Sequence, residues 1–484
     1  MEDLQFIMGV VKMESKLITQ KPGVKFETNG RTSRIPGFYK LDLAQRLDKL
    51  DDWLKLTRNE KFMLKRESLT PELADMMIEN AIGVFGLPLG IAVNLRLNEK
   101  DYLLPMAIEE SSVVAAASNA ARLIRENGTM TGQATEPIMI SQIQITDVAD
   151  PEAAKQKILE HKERLLEVAN QNDFTVVRLG GGARDIEVEI LDTLSGPMVI
   201  ANLLVDCRDA MGANIVNTMA ENLGPIIADL VNGTVICQIV SNLSDRRMVK
   251  VKFELDNVDC LARAGFSGKE AAERLVKAYH FAEADPHRAA THNKGVMNGI
   301  DGVLIATGND WRAVEAGVHA YAARDGRYRP VTKFYFNEKG NLCGEIEIPM
   351  AVGIVGGITK IHPGVKILLK IMNVETASEL AQVVAAAGLI QNFAAIWTLA
   401  TEGIQKGHMT LHAKNVAVFA GALGELAIKV ANQMAHEGRV RFDRAKELIR
   451  QFMIKEQCED PQHKNDQECK DPDLLKLLDD NKNN

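Results

Sequence analysis

The feature that most constrains the fold is the order of strand and helix patterns between residues 136 and 243. Apolar alternation indicates strands, and apolar residues at helical spacing indicate helices. The predicted elements are a strand at 138–145, a helix at 151–170, an interrupted strand at 174–191, a strand at 198–206, a helix at 209–231 and a strand at 235–240. This β-α-β-β-α-β order is typical of the split ferredoxin-like fold. Because mixed patterns stand on both sides, we expect a small domain inserted into a larger one.

The rest of the chain divides around this insertion. Domains average roughly 150 residues, so the length favours about three folding units. Residues 457–484 hold eight acidic residues and no aromatics, a composition that favours a solvated tail. We predict an α+β protein with a loose N-terminal arm (1–30), a large mixed α/β domain (31–135 and 244–402), the small inserted domain (136–243), a helical C-terminal unit (403–454) and a disordered acidic tail (455–484).

Charge and cysteine usage exclude several classes of protein. The 65 acidic and 57 basic residues give a net charge of -8, which repels phosphate backbones and argues against nucleic-acid binding. The six cysteines form no C-x-x-C pair, so neither a disulfide framework nor a zinc knuckle is indicated. No apolar leader follows Met1, and we expect a cytoplasmic protein. His408 and His412 share a predicted helix face but lack the glutamate of H-E-x-x-H, so we predict no metal site.

One segment has the length of a membrane span. Leu380 to Thr401 runs 22 residues without a charge. However, Gln382, Gln391 and Asn392 interrupt it, and burying their amides in lipid is costly. We therefore predict a core helix and no membrane partner.

The standard phosphate-binding motifs are absent or incomplete in this chain. No Walker A sequence is present, because Gly268-Lys269 is followed by glutamate rather than serine or threonine. Gly180 to Gly182 follow a strand pattern, but Asp185 stands where the Rossmann fingerprint needs its third glycine. The better anion candidate is the string Asp209 to Asn214, where a strand leads into a helix with free first-turn amides. An ordinary helix capped by Asp209 fits the same spacing.

Two further polar strings stand out. Residues 288–301 are dense in polar and small residues and have little amphipathic pattern. Lys294 within them is either a tuned cation or a loop lysine in solvent. Glu109 and Glu110 precede an alanine-rich helix, where carboxylates complement the helix dipole, although a carboxyl entering a core can also stay protonated.

Together these strings resemble one family, class II 3-hydroxy-3-methylglutaryl-coenzyme A reductase, over roughly residues 32 to 450. Several long strings in the same order are more specific than any single motif. The strings are Glu79 to Gly83, Glu109 to Ser118, Asp209 to Thr218, Thr291 to Asp301, Gly308 to Glu315 and Glu402 to Asn415.

The resemblance implies a set of site residues and partners. The catalytic set would be Glu110, Lys294, Asp310 and His408, and the residues near the acyl group would be Ser112, Arg288 and Asn298. The nicotinamide cofactor would face Asp209, Met211, Gly212, Asn214 and Asn217 in the small domain. The resemblance also implies a homodimer or higher homo-oligomer with a shared active site, and a C-terminal flap that closes with His408. The large domain would bind the coenzyme A thioester.

The implied chemistry explains these residue types. Reducing a thioester to an alcohol takes two hydrides, and each transfer turns a carbonyl oxygen into an alkoxide. A cation such as Lys294 would stabilise that charge, with Asp310 orienting the lysine. His408 would protonate the departing thiolate. Glu110, kept neutral beside Val113 and Val114, would supply or relay a proton to the aldehyde.

Cofactor choice depends on how the adenosine ribose is held. The resemblance places Asp173 where relatives that prefer NADH read the ribose hydroxyls. A carboxylate there would accept hydrogen bonds from a 2′-hydroxyl and repel a 2′-phosphate, so we expect NADH to be preferred over NADPH. A turn aspartate at the end of a helix is the alternative.

The sequence differs from the family pattern at two places, and two other functions remain as alternatives. Glu110-Ser111-Ser112 stands where the family has Glu-Pro-Ser, and Tyr39-Lys40 stands where it can place an arginine toward coenzyme A, with Lys40 as a possible substitute. An acyl transferase would need a nucleophilic cysteine or serine, and no cysteine lies in the matched strings. A catalytically silent binding protein would have lost one of the four catalytic residue types, and all four are present. The sequence does not fix whether mevalonate is made or degraded.

Overall fold

The computed structural model describes residues 32–66, 68–171, 175–403 and 413–459. Strands and helices are mixed between Leu89 and Pro349, and the described residues on either side of that stretch contain helices without strands. The strands are β1 (Leu89–Leu97), β2 (Lys100–Ala107), β3 (Gly128–Ala134), β4 (Ile138–Thr146), β5 (Gly182–Thr193), β6 (Gly196–Asp206), β7 (Thr234–Val240), β8 (Met248–Leu255), β9 (Thr332–Phe336) and β10 (Leu342–Pro349).

The helices follow in the same chain order. They are α1 (Leu43–Leu54), α2 (Arg58–Lys65), α3 (Pro71–Met77), α4 (Val113–Asn127), α5 (Pro151–Glu160), α6 (Lys162–Asn170), α7 (Thr175–Arg178), α8 (Ala213–Val231), α9 (Gly268–Ala284), α10 (Pro286–Ala306), α11 (Trp311–Ala322), α12 (Ile358–Ile361), α13 (Pro363–Met372), α14 (Ala377–Thr401), α15 (Gly424–His436) and α16 (Phe442–Glu459). The local sequence determines where three of these helices, α1, α2 and α9, begin. Their N-cap residues Asp42, Thr57 and Ser267 each form a capping box with the residue three positions later.

Helix α14 lies in the middle of the largest core. It contacts α4, α9 and α10 and the sheet β3-β8-β10-β9. Among the described residues it is the one helix long and apolar enough to cross a membrane, and 83% of its apolar window is buried in the protein. Its amide Asn392 accepts a hydrogen bond from the Thr332 hydroxyl (2.8 Å) and donates one to the His292 carbonyl (3.1 Å). The prediction of a core helix is confirmed.

The polar string 288–301 lies within helix α10, so a loop lysine at position 294 is the wrong interpretation. The amphipathic pattern is weak because α10 is covered on several sides, by α14 and by strand β2. Gly299 allows the close approach to α14, since a Cβ there would overlap the backbone of Ala387. Lys294 itself stays on an exposed part of the helix.

Residues 138–240 form a separate antiparallel sheet in the order β5-β6-β4-β7. Helices α5, α6 and α8 cover it, and its buried apolar residues form their own cluster. The β-α-β-β-α-β order agrees with the sequence prediction. Residues 175–178 were wrongly predicted as a strand: they form the short helix α7, and β5 begins only at Gly182. The charged helix is also interrupted at His161.

Helices α15 and α16 carry the C-terminal core. Their small and aliphatic side chains pack together, including Ala427, Val430, Met434 and Leu448. A further helical segment, residues 413–419, adds Ala413 and Ala417 to this core, so the described part of the unit has one helix more than the predicted pair.

Candidate active site

The residues Lys294 and Glu110 form an ion pair although 184 positions separate them in the chain. Lys294 lies in the middle of α10, and Glu110 lies in the turn between β2 and α4. The side chain of Lys294 is 60% exposed and that of Glu110 is 34% exposed. Because the pair opens to solvent, the lysine ammonium can reach a bound substrate.

The turn that carries Glu110 has an unusual backbone at Ser112. This residue has φ 78° and ψ -21°, in the left-handed region that side-chain-bearing residues seldom adopt. It occupies the N-cap position of α4, yet its hydroxyl makes no cap hydrogen bond. The hydroxyl of Ser112, two residues after Glu110, is therefore not used in capping α4.

Asp310 does not contact Lys294 within the described chain. Its Oδ1 accepts a hydrogen bond from the Ala313 amide (3.1 Å) and so caps α11. The same oxygen lies 3.5 Å from Arg312 Nε. The lysine partner found here is Glu110, so the expected orientation of Lys294 by Asp310 is not present in a single subunit.

The remaining predicted acyl-group residues lie on α10. Asn298 follows Lys294 by one helical turn, which puts both on the same face, and it is half-buried. Arg288 lies in the first turn of the helix, where its amide donates to Asp285 Oδ2 (3.3 Å). Burial lowers the pKa of the Arg288 guanidinium.

Sequence reasoning missed the buried polar groups that support this helix. His292 Nε2 lies 2.5 Å from Thr332 Oγ1, which in turn bonds to Asn392 on α14. Burial, with the Arg288 charge as a smaller cause, lowers the pKa of His292 to about 3. A neutral histidine therefore joins α10 to α14 two residues before Lys294. In the sequence, the only indication of this contact is that His292 and Asn392 are polar residues on otherwise apolar helix faces.

Asp301 is a second missed group. It lies seven residues after Lys294 and so on the same face of α10. Burial and the neighbouring Glu315 carboxyl raise the pKa of Asp301, and its Oδ1 is buried without a hydrogen-bond partner. A carboxyl of this kind holds its proton to higher pH than an exposed one.

The predicted cofactor residues lie in the loop from Asp209 to Gly212 and in the first turns of α8. Gly212 has φ 107°, and a Cβ there would overlap Cys207 Sγ, so only glycine fits. It is the N-cap of α8 but offers no side chain to the first-turn amides. These amides, beginning at Ala213, are free to bind an anion.

The interpretation of Asp209 as the cap of α8 is wrong. Helix α8 begins at Ala213, and Asp209 Oδ1 instead accepts a hydrogen bond from the Ala377 amide at the start of α14 (2.8 Å). Asn217 Oδ1 accepts from the Val240 amide (2.8 Å) and ties α8 to β7. Asn214 is exposed, and Met211 is half-buried.

Two of the predicted residues, Asp173 and His408, lie outside the described residues, and so does His412. In the part of the chain that is described, no group of three or more potential metal ligands occurs.

A groove with a volume of about 740 Å³ runs along α4. Its lining is mainly apolar and includes Val114 and Ala115 of the first turn of α4. Its cationic residues are Arg34, Arg46 and Arg122. Tyr39 also lines it, and the Lys40 ammonium lies 5.8 Å from the centre of the Tyr39 ring. The three arginines were not identified from the sequence.

Comparisons with known proteins are consistent with one another. The family model described as hydroxymethylglutaryl-coenzyme A reductase matches residues 42–413. The 3-hydroxy-3-methylglutaryl-coenzyme A reductase of Archaeoglobus fulgidus is 52% identical over 418 residues, which cover 86% of this chain and 94% of that protein. A probable reductase of the same name from Borreliella burgdorferi is 39% identical over 348 residues, or 70% of this chain and 77% of that protein.

Solved structures give the same result. A reductase of this name from Streptococcus pneumoniae superimposes with a TM-score of 0.73 at 38% identity, covering 86% of this chain and 99% of that one. The class II enzyme of the same organism, bound to NADPH in open conformations, has a TM-score of 0.73 at 40% identity. That match covers 76% of this chain and 99% of that one.

Proposed function

The chain belongs to the hydroxymethylglutaryl-coenzyme A reductase family, class II type, and from that premise we propose how its residues perform the reaction. It interconverts 3-hydroxy-3-methylglutaryl-coenzyme A with mevalonate and free coenzyme A through two hydride transfers from a nicotinamide cofactor. The observation that carries the proposal is the solvent-accessible ion pair of Lys294 with Glu110. It puts a cation next to a carboxyl group that can relay a proton, where helix α10 meets the turn before α4.

Lys294 is the group that stabilises developing negative charge. The first hydride converts the thioester carbonyl to a hemithioacetal alkoxide, and the second converts the aldehyde carbonyl to the alkoxide of mevalonate. In both steps an ammonium hydrogen bond to the oxygen lowers the barrier. Glu110, in contact with the lysine, passes the proton that turns the final alkoxide into an alcohol. Ser112, Asn298 and Arg288 hold the acyl group.

His408 protonates the leaving thiolate, and Asp310 completes the site. Collapse of the hemithioacetal breaks the carbon–sulfur bond, and the imidazolium supplies the proton that coenzyme A takes away. Among the described residues of one chain no ion pair joins Asp310 to Lys294, and a homo-oligomer with a shared active site would account for this, because the four groups need not meet within a subunit. The flap, residues 403–454, brings His408 to the substrate.

The nicotinamide cofactor occupies the small domain, residues 136–243. The free amides at the start of α8 suit its diphosphate, and Gly212 allows close backbone approach. The cofactor is surrounded by five residues of the segment 209–217, namely Asp209, Met211, Gly212, Asn214 and Asn217. The Streptococcus pneumoniae relative that binds NADPH supports a nicotinamide cofactor here.

The large domain, residues 31–135 and 244–402, holds the coenzyme A thioester. The groove along α4 starts at Val114, two residues after Ser112, and extends past Arg122 to Glu126. From Val114 to Arg122 the helix rises roughly 12 Å at about 1.5 Å per residue. The long pantetheine arm fits this apolar path, with its phosphates at the arginine end. Arg34 and Arg122 pair there with Glu126 (2.9 and 2.7 Å), which leaves Arg46 and Lys40 as the cations that replace the missing family arginine.

A thiol nucleophile of the acyl-transferase kind is not supported. Burial raises the pKa of Cys207 to about 12, and its sulfur packs against Gly212. The other free thiols in the described chain are Cys237, Cys260 and Cys343, and burial raises the pKa of both Cys260 and Cys343. Free thiols suit the cytoplasm, which is the compartment we propose.

Preference for NADH is tested by Asp173→Ala. If the Asp173 carboxylate accepts hydrogen bonds from the ribose hydroxyls, its loss raises the KM for NADH and lowers the KM for NADPH. A charged hydrogen bond contributes about 1.5–3 kcal/mol, so the ratio of kcat/KM values for the two cofactors should change by about tenfold to a hundredfold. The assay follows thioester-dependent oxidation of each cofactor.

Asp192→Ala is the matched control, because Asp192 is an exposed aspartate in the same domain. It should leave the NADH to NADPH ratio as in the wild type. An unchanged ratio in Asp173→Ala would make Asp173 an ordinary turn residue at the end of a helix.

A further inference from the structure

A buried arginine lies beneath the proposed cofactor loop. Arg247, just before strand β8, is only 4% exposed. Its Nη1 donates hydrogen bonds to the carbonyls of Ala210 (3.1 Å) and Met211 (3.0 Å), and its Nη2 donates to the carbonyl of Val352 (2.5 Å). Among the described residues no carboxylate forms an ion pair with it. Burial lowers the pKa of Arg247, and these three hydrogen bonds, together with the attraction of the Asp209 and Asp206 charges, offset the cost of burying the guanidinium.

The carbonyl of Val352 belongs to the segment 351–355, which lies against the cofactor loop. The Ile354 amide donates to the Asp209 carbonyl (3.0 Å), and Ala210 and Val355 form a parallel bridge. A Cβ at Gly353 would lie 2.5 Å from the Met211 amide nitrogen. The segment therefore fits closely under the loop, and a larger residue would push the two apart.

The other side of the same segment is bonded to the residue before Asp310. The Gly353 amide donates to Asn309 Oδ1 (2.8 Å). Asn309 is 9% exposed, and its amide group donates to Thr307 Oγ1 (3.1 Å). One continuous set of hydrogen bonds thus joins the cofactor loop, the segment 351–355 and the start of α11.

We propose that Arg247 is a positioning residue that fixes the cofactor loop relative to the catalytic groups. This inference rests on the proposed binding of the cofactor at residues 209–217. The planar guanidinium holds the carbonyls of Ala210 and Met211 on one side and Val352 on the other, and so it sets where the Gly212 backbone and the start of α8 stand. Lysine lacks this fork geometry, and methionine has no donor.

A role in positioning differs from a role in stability alone. The contacts of Arg247 fall on the cofactor loop and on the segment beneath it, and none falls on Glu110 or Lys294 among the described contacts. Loss of the guanidinium should therefore weaken cofactor binding selectively. A purely structural arginine would lower the melting temperature and leave the kinetic constants of the folded fraction unchanged.

The test compares Arg247→Met and Arg247→Lys with the wild-type enzyme. We expect the KM for NADH, and its Kd measured by NADH fluorescence, to rise at least about tenfold in Arg247→Met, because charged hydrogen bonds are lost. The KM for the thioester should stay within about twofold. The KM and Kd for NADH of Arg247→Lys should lie between those of the wild type and those of Arg247→Met. Added methylguanidinium should partly restore NADH binding in Arg247→Ala.

Arg246→Met is the matched control, since Arg246 is a neighbouring arginine that pairs with Glu187 at the surface (3.0 Å). It should leave both KM values unchanged. Asn214→Ala tests the cofactor site itself: if it leaves NADH binding unchanged, the cofactor assignment fails. If Asn214→Ala weakens NADH binding while Arg247→Met leaves it unchanged, or weakens both substrates equally, the positioning role is overturned. Should Arg247→Met not fold, Arg247→Lys is judged by the same criteria.

Discussion

Lys294→Met should lower kcat for thioester reduction by about a thousandfold, because the removal of one preorganised oxyanion donor costs about a hundredfold to a thousandfold and this donor also carries a full charge. The KM for the thioester should change far less, since the lysine acts chiefly when the alkoxide forms. Steady-state oxidation of NADH in the presence of saturating thioester measures the effect.

Lys250→Met is the matched control for this substitution. Lys250 also pairs with a glutamate, Glu347, at 3.2 Å, but on the sheet formed by β8 and β10. Its replacement should leave kcat unchanged. If Lys294→Met retained a tenth or more of the wild-type kcat, Lys294 would not be the group that stabilises the alkoxide.

His408→Gln should slow the reduction of the thioester by at least about a hundredfold and the reduction of added mevaldehyde far less, because general acid catalysis contributes roughly 10² to 10⁴ and only the thioester expels a thiolate. His412→Gln, four residues later, is the control and should change neither rate. Equal losses on both substrates would contradict the proposed role of His408 as the acid for coenzyme A.

The small sheet could be predicted because its strands alternate and its helices have regular apolar spacing. The error at residues 175–178 came from three residues, Thr175 to Val177, whose β-branched side chains favour strands. The chain forms a helical turn there instead, and Gly180 and Gly182 follow with φ values of 82° and 101°. The backbone conformation that the glycine turn requires therefore outweighs the weak preference of Thr175 to Val177 for a strand.

The polar string on α10 was harder to interpret. A helix covered on several sides has no single apolar face, so its pattern resembles a loop. The contact of Lys294 with Glu110 joins positions 184 residues apart, and no spacing rule connects them. Only the resemblance to a known family put both residues in one site.

Arg247 could not have been identified from the sequence at all. Arg246 and Arg247 stand side by side in a polar segment, and both have the composition of surface residues. In the structure Arg246 pairs with Glu187 at the surface while Arg247 is buried against backbone carbonyls. Every residue has a backbone carbonyl, so the sequence does not show which carbonyls accept hydrogen bonds from an arginine. Only the three-dimensional packing distinguishes the two arginines.

The most direct test of the proposed site is the stoichiometry of the reaction. NADH oxidised and coenzyme A thiol released are measured in the same sample of purified enzyme after a limiting amount of thioester is consumed. One site that performs both hydride transfers predicts two NADH oxidised for each thiol released, with mevalonate as the product. One NADH per thiol, with mevaldehyde accumulating, would contradict the assignment of both reduction steps to the site formed by Glu110, Lys294, Asp310 and His408.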